Sequence, residues 1–332
     1  MAQLRKDPII GEWVIVATTE SLHLEDYDRD DHTFQQIQFC QFCPGREHLT
    51  PPEVAAVRLN GSPPNAPGWT VRVVPNKFPV LRIEEVYQPP QRNIYQSLNG
   101  VGAHEVLIET PHHTKDLADL PLEEIQQVLK TYSYRGIKLA EDRRFKYIIV
   151  FKNYGESAGA TLEHAHSQLI ALPLVPKFVQ AELDGAHHYY LKENRCVFCD
   201  ILQREIRDEE RMVAENNHFV CFCPFVQRYP FECWIVPKTH QADYRFLPEG
   251  EQRSWASLIK DVLSRIKKGL GDPSYNFYLH GVPVNTKVPE GYHWHMEIIP
   301  RLTYRACLAW GMGMNVVWTE PSLAAQCFKE AL

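Results

Sequence analysis

The sequence lacks any run of eighteen or more apolar residues, which excludes a membrane-spanning helix of ordinary length. Its opening stretch, MAQLRKDPIIGEW, has no continuous apolar segment of the kind found in a secretory signal, so a soluble cytoplasmic protein is expected. An excess of positive charge is also missing. With 35 basic and 41 acidic residues the formal charge is -6, without the field that holds a nucleic acid. A small anionic substrate needs only a local pocket and stays open. A disulfide framework is not expected from the nine cysteines, because the cytosol keeps thiols reduced. What the chain does have is 332 residues, 44% of them hydrophobic, enough for one large core or two fused smaller ones.

Cysteine and histidine recur in a repeated order. Cys40 and Cys43 in FCQFCPGRE are followed by His113 in ETPHHTKDL and by His164 and His166 in LEHAHSQLIALP. Cys196 and Cys199 in RCVFCDILQRE are followed by His240 in VPKTHQADY and by His293 and His295 in YHWHMEIIP. The closing segments also match in type, with Gln168 and Glu297 two residues after the second histidine and Ile170 and Ile299 two further on. This reads as an internal repeat of a half-domain. Each close cysteine pair suits one zinc knuckle and must recruit distant ligands to reach four. Cys221, Cys223, Cys233, Cys307 and Cys327 have no such partners and read as core thiols; His112, His187 and His188 read as surface histidines.

GWTVRVVPN, HEVLIET, KYIIVFKN and HSQLIALP are short, β-branched and bounded by turn formers, so they read as strands. PLEEIQQVLKTYSYRGIKLAE and PEGEQRSWASLIKDVLSRIKKGL carry apolar residues at helical spacing after a proline. The expected class is α+β: two fused half-domains, antiparallel sheets with helices packed on them. LDGAHHYYLKENR reads as a polar, loop-like linker, which puts the domains at residues 1–180 and 181–332. On a strand, residues i and i+2 share a face, so His164 and His166 are expected side by side, one on metal and one on substrate.

Before the first His-x-His lies GESAGATLE, whose Gly155, Ser157, Gly159, Ala160 and Thr161 let a phosphate approach closely, with Lys152 and Asn153 adding charge and a donor. A neutral imidazole beside a phosphodiester is a competent nucleophile when its other nitrogen donates to a fixed acceptor. His166 is the candidate nucleophile. Gln168 follows as a hydrogen-bond donor, sufficient where a sugar phosphate leaves as a stable dianion. The matching GVPVNTKVPEGY makes a poorer cradle, so His295 is not assigned a catalytic part.

With these residues in place, the chain resembles the galactose-1-phosphate uridylyltransferase family of the histidine-triad superfamily, including its ADP-glucose phosphorylase branch. The resemblance runs through LRKDPIIGEWVIV, CQFCPGRE, VRVVPNKFP, GAHEVLIETPHH, VFKNYGESAGATLEHAHSQ, CVFCD, YPFECWIVPKTH, YHWHMEIIPRL and WGMGMNVV. It implies histidine-triad-like halves and a ping-pong reaction: His166 takes the nucleoside monophosphate from a nucleotide sugar, and a sugar 1-phosphate or inorganic phosphate collects it. It implies two structural zincs, one on Cys40, Cys43, His113 and His164 and one on Cys196, Cys199, His240 and His293. Asn76, Asn153, Gly159, Ala160, Thr161, Leu162 and Gln168 match positions that hold the nucleotide and its phosphates, and Gly311 and Met312, in a glycine-containing segment like that of the phosphorylase branch, are expected to bind the nucleotide or its phosphates as well. A homodimer is implied as well.

Two departures matter. WVIVATTESLHLEDYD is acidic where the family usually has a basic, phosphate-contacting run, and CLAWGMGMN is closer to the phosphorylase branch than to the uridylyltransferases. Hydrolysis or phosphorolysis of dinucleoside polyphosphates or phosphoramidates is a competing activity, against which Gln168 in place of a third histidine weighs. A noncatalytic nucleotide-binding protein is a third reading, favoured by the lost basic run.

Overall fold

The computed structural model describes residues 2–19, 21–27, 39–58, 60–89, 94–303 and 307–331. The two amphipathic segments headed by proline are the long helices α1 (Leu122–Ala140) and α4 (Glu249–Leu270). Glu123 and Glu124 open α1, Glu249 and Glu251 open α4, and lysines close both, each charge complementing the end of the helix dipole it sits on. Gly271 then stops α4 at φ 77°, a left-handed conformation that a side chain would resist.

All four expected strands form: β4 (Trp69–Pro75), β5 (Ala103–Ile108), β6 (Tyr147–Tyr154) and β7 (His166–Leu172). With β3 (Ala55–Arg58) they make the first half of an antiparallel sheet in the order β3-β4-β5-β7-β6. The second half repeats this order outward from the middle as β11-β12-β10-β9-β8, built from β11 (Tyr275–His280), β12 (His295–Pro300), β10 (Cys233–Pro237), β9 (Phe219–Phe222) and β8 (Met212–Glu215). The halves do not keep separate sheets. β6 and β11 pair antiparallel, Asn153 opposite Asn276, so one ten-stranded sheet runs through both and each half loses one open edge. A small sheet of β1 (Ala2–Lys6), β2 (Trp13–Ala17) and β13 (Val316–Val317) ties the two ends of the chain together.

Alternation along the strands gives the large sheet two distinct faces. Leu107, Val150, Leu169 and Ala171 point to one face, where they bury against α1 through Val128, Leu129 and Tyr132; α4 covers the same face of the second half. On the other face, the second half is capped by α2 (Lys177–Glu193) and α3 (Val197–Asp208), whose Leu183 and Phe198 pack with Phe222 and Trp234. Among the described residues, the first half carries only a smaller cluster there, around Phe42, Trp69, Val74, Val106 and Ile108.

The segment read as a loop-like linker is helical: LDGAHHYYLKENR lies almost wholly in α2, and residue 180 falls inside that helix. Gly185 misleads here. It serves close approach rather than a turn, since a Cβ on it would lie 1.8 Å from the Ile9 carbonyl oxygen. Alanine normally favours a helix interior by about 1 kcal/mol over glycine. Gly185→Ala is nevertheless expected to destabilise the chain by about 1–3 kcal/mol through overpacking, seen as a lower midpoint in urea unfolding; a raised midpoint would contradict the packing of α2 on Ile9.

Candidate active site and metal clusters

The strand expected to hold both histidines begins only at His166. His164 precedes it, and its carbonyl turns back onto the next ring, where His166 Nδ1–H donates to His164 O at 2.9 Å. A carbonyl can only accept, so the proton sits on Nδ1 and the lone pair on Nε2. Burial pulls the His166 imidazole down to about 4, which keeps it neutral near pH 7. The ring is 7% exposed, and Phe42 meets it edge-on at 5.5 Å.

Phe151 pairs with Gln168, so two residues on Asn153 comes level with His166 on the same face. Its Oδ1 accepts from Asn276 Nδ2 at 2.9 Å, which leaves the Asn153 NH2 as the available group. Gly155 and Gly159, at φ 82° and 87°, fold the following turn over this strand end, and a Cβ on Gly159 would come within 3.7 Å of the Asn153 amide nitrogen. Gly159 and Thr161 are exposed, Ser157 and Ala160 are half-buried, and Leu162 packs against the Phe42 cluster.

Lys152 does not join this cradle. One residue from Asn153, it points through the sheet to the opposite face, 1% exposed, with Nζ 2.6 Å from Glu109 and 2.9 Å from Asp116. Nζ also donates to His166 O at 3.4 Å, so the buried ion cluster braces the backbone under the candidate nucleophile. Tyr132 and Tyr275 complete it, with hydroxyls 3.2 Å from Glu109 and 2.5 Å from Asp116.

Two groups of four donors have the geometry of a tetrahedral ion site. In the first, Cys40 Sγ is 3.6 Å from His164 Nδ1, Cys43 Sγ is 3.5 Å from His113 Nδ1, and the two Nδ1 atoms are 3.4 Å apart. Metal–sulfur and metal–nitrogen bonds of the lengths typical for zinc give tetrahedron edges of about 3.3 to 3.8 Å. His164 Nε2–H donates to Thr110 O at 2.7 Å, which leaves the Nδ1 lone pair turned to the centre of the group. Cys196, Cys199, His240 and His293 form the second group, with Cys199 Sγ 3.5 Å from each imidazole nitrogen. A third close group, Glu182, His280, His295 and Glu297, is wholly buried. Arg228 pairs there with both Glu232 and Glu297.

His295, the counterpart of His166, is walled in at 0% exposure, stacked between Trp234 at 4.8 Å and His280 at 4.7 Å. In register, Trp234 stands opposite Glu297 where Val106 stands opposite Gln168, so an indole fills the space that a valine leaves open. Cys221, Cys223 and Cys233 are core thiols and Cys327 packs against the same core; the side chain of Cys307 lies outside the described residues. His112 and His188 are exposed and His187 is half-buried. Gly311 and Met312 are exposed on the short helix α5 (Cys307–Met312), and among the described residues no hydrogen bond joins them to the His166 face. Of the acidic stretch after Trp13, residues 20 and 28 lie outside the described residues. His104 on β5 was not singled out from the sequence, yet its Nε2 is 2.7 Å from Gln168 Oε1 and 3.1 Å from Asn76 Nδ2. Only the antiparallel register brings it beside Gln168, and no local motif marks it.

Residues 1–176 match the N-terminal domain and residues 182–309 the C-terminal domain of galactose-1-phosphate uridyl transferase. The chain belongs to the galactose-1-phosphate uridylyltransferase family. It is thereby a nucleotidyltransferase, as its named relatives are. An ADP-glucose phosphorylase from Arabidopsis thaliana is 33% identical over 99% of this chain and 92% of its own, and a galactose-1-phosphate uridylyltransferase from Thermotoga maritima is 28% identical over 93% and 90%. Among solved structures, the Arabidopsis ADP-glucose phosphorylase with bound ADP-glucose superposes with a TM-score of 0.82, at 31% identity, over 100% of this chain and 99% of that one. A uridylyltransferase gives 0.76 at 30% identity over 100% and 98%.

Proposed function

We propose that this member of the family transfers a nucleoside monophosphate from a nucleotide sugar to a sugar 1-phosphate or to inorganic phosphate, through a covalent intermediate on His166. The observation that carries this reading is the His166 Nδ1–H bond to the His164 carbonyl, which reserves the Nε2 lone pair. Nε2 attacks the α-phosphorus, the bond from phosphorus to the bridging oxygen breaks, and the sugar 1-phosphate leaves with that electron pair as a dianion. No proton need be delivered to the leaving group, so Gln168 serves as an amide donor to the phosphoryl oxygens and no third histidine is required. The acceptor phosphate then attacks from the vacated side, and the P–N electron pair returns to Nε2. Asn153, Asn76 and the Gly159–Ala160–Thr161 backbone, with Leu162 beneath them, hold the nucleotide and its phosphates.

The likeness to the Arabidopsis phosphorylase supports adenosine as the base and inorganic phosphate as the acceptor, and the likeness to the uridylyltransferases supports uridine and hexose 1-phosphate. Gly311 and Met312 also contact the nucleotide or its phosphates, and two copies of the chain form a homodimer; the exposed Met312, Phe78 and Val80 support such an interface. Zinc fills the two cysteine–histidine groups and acts as a structural staple. No step of the transfer passes through it. Paired thiols arranged for metal rather than disulfides support a cytoplasmic location, and no helix among the described residues is long and apolar enough to cross a membrane. The domains divide near residue 180.

Incubation with UDP-glucose or ADP-glucose radiolabelled at the α-phosphate, followed by a denaturing gel, is expected to leave label on the wild-type chain and none on His166→Ala. Equal labelling of both chains would refute the role of His166, and the labelled donor identifies the base. Elemental analysis is expected to find two zinc ions per chain and one in Cys40→Ser; an unchanged content in that variant would contradict the first staple.

A further inference from the structure

The His104 ring is 8% exposed and is held on both sides. The Val80 backbone N–H donates to Nδ1 at 3.2 Å, and a backbone N–H can only donate. The Nδ1 lone pair is therefore taken, and the ring proton sits on Nε2. From there it is donated to Gln168 Oε1 at 2.7 Å. With its oxygen engaged, the Gln168 amide has only its NH2 left to offer. Asn76 is set in the same sense: its Oδ1 accepts from the Phe78 backbone N–H at 2.9 Å, and its NH2 lies 3.1 Å from the same His104 Nε2. Both amides flank the same Nε2 edge of His104, with an NH2 on each that no protein acceptor among the described residues takes once Nε2 carries the proton, a place suited to an anionic oxygen.

We infer that His104 is a positioning residue, which pins the Gln168 carbonyl so that two amide NH2 groups, from Gln168 and Asn76, converge on the phosphoryl oxygens of the transferring nucleotide. This rests on Gln168 acting as a donor in the proposed transfer. A glutamine without that anchor rotates freely about its last bond and presents its oxygen, which repels a phosphate, as often as its nitrogen. In the second half the position of Gln168 is taken by Glu297, a carboxylate that Arg228 holds while also pairing with Glu232.

The test compares His104→Leu and His104→Gln with the wild type in single-turnover transfer of label to the protein, with thermal unfolding and zinc content confirming the fold. His104→Leu is expected to slow transfer by on the order of tenfold to a hundredfold while nucleotide-sugar affinity changes by less than about threefold. His104→Gln, whose amide nitrogen falls near the position of Nε2, is expected to restore most of that rate. In a Gln168→Ala background the leucine substitution should add no further loss. Equal rates for His104→Leu and His104→Gln, or a full leucine penalty in the Gln168→Ala chain, would overturn the inference. Absence of label on the wild type would sink the transfer reading itself. The anchor is then judged by the nitrogen resonances of labelled His104 alone: a protonated Nε2 with a bare Nδ1 supports it, and the reverse tautomer overturns it.

Discussion

One hydrogen bond carries the chemistry proposed for this chain. His166 Nδ1 gives its proton to the carbonyl of His164, the residue whose own ring turns toward the first cysteine–histidine group. That carbonyl is held from two directions: the His164 ring donates to Thr110, and Lys152 braces the backbone at His166 from beneath the sheet. The proposed nucleophile is thus set by a neutral acceptor in a rigid frame. A carboxylate in that place would raise the basicity of the ring and favour its protonated form, which cannot attack phosphorus. Burial acts in the opposite sense to such a carboxylate and leaves the imidazole neutral. The frame around it has its own electrostatic cost. Removing one partner from the Lys152, Glu109 and Asp116 cluster would leave an unpaired charge in the core, a loss of about 3–5 kcal/mol.

The repeat in the fold separates structure from chemistry. Both halves have the same strand order, the same cysteine and histidine donors and an aromatic residue between the paired cysteines, Phe42 and Phe198, set against the second histidine of its half. They differ in what covers the face. Over the second half lie α2 and α3, and Trp234 and His280 sandwich His295, so the place where a nucleotide would meet that ring is occupied by protein. Over the first half the corresponding residues are small, and the amides of Asn76, Asn153 and Gln168 keep donors for a ligand. The cysteine–histidine pattern stands in duplicate, while the surface proposed to bind phosphate is open in the first half alone.

The two cysteine–histidine groups were legible in the sequence because such candidate metal sites depend on residue type and order, and few other arrangements explain Cys-x-x-Cys followed twice by His and His-x-His. The strands and long helices were legible from periodicity. Three features were hidden, each for a physical reason. Gly185 in LDGAHHYYLKENR gives the composition of a loop, but the glycine is there because Ile9 crosses the helix. Lys152 beside Asn153 suggested a phosphate contact, but strand alternation sends neighbours to opposite faces and the lysine into the core. His104 acts only through the register of β5 on β7, a relation between segments more than sixty residues apart that no local pattern encodes.

The central claim is that the Nδ1 proton is locked and Nε2 alone is free to react. Mapping the attachment atom in the isolated nucleotidyl-enzyme, by phosphorus-to-nitrogen coupling in the chain labelled at histidine nitrogen, tests it directly. The nucleotide is predicted on Nε2 of His166. Attachment at Nδ1, or at any other histidine, would contradict the account.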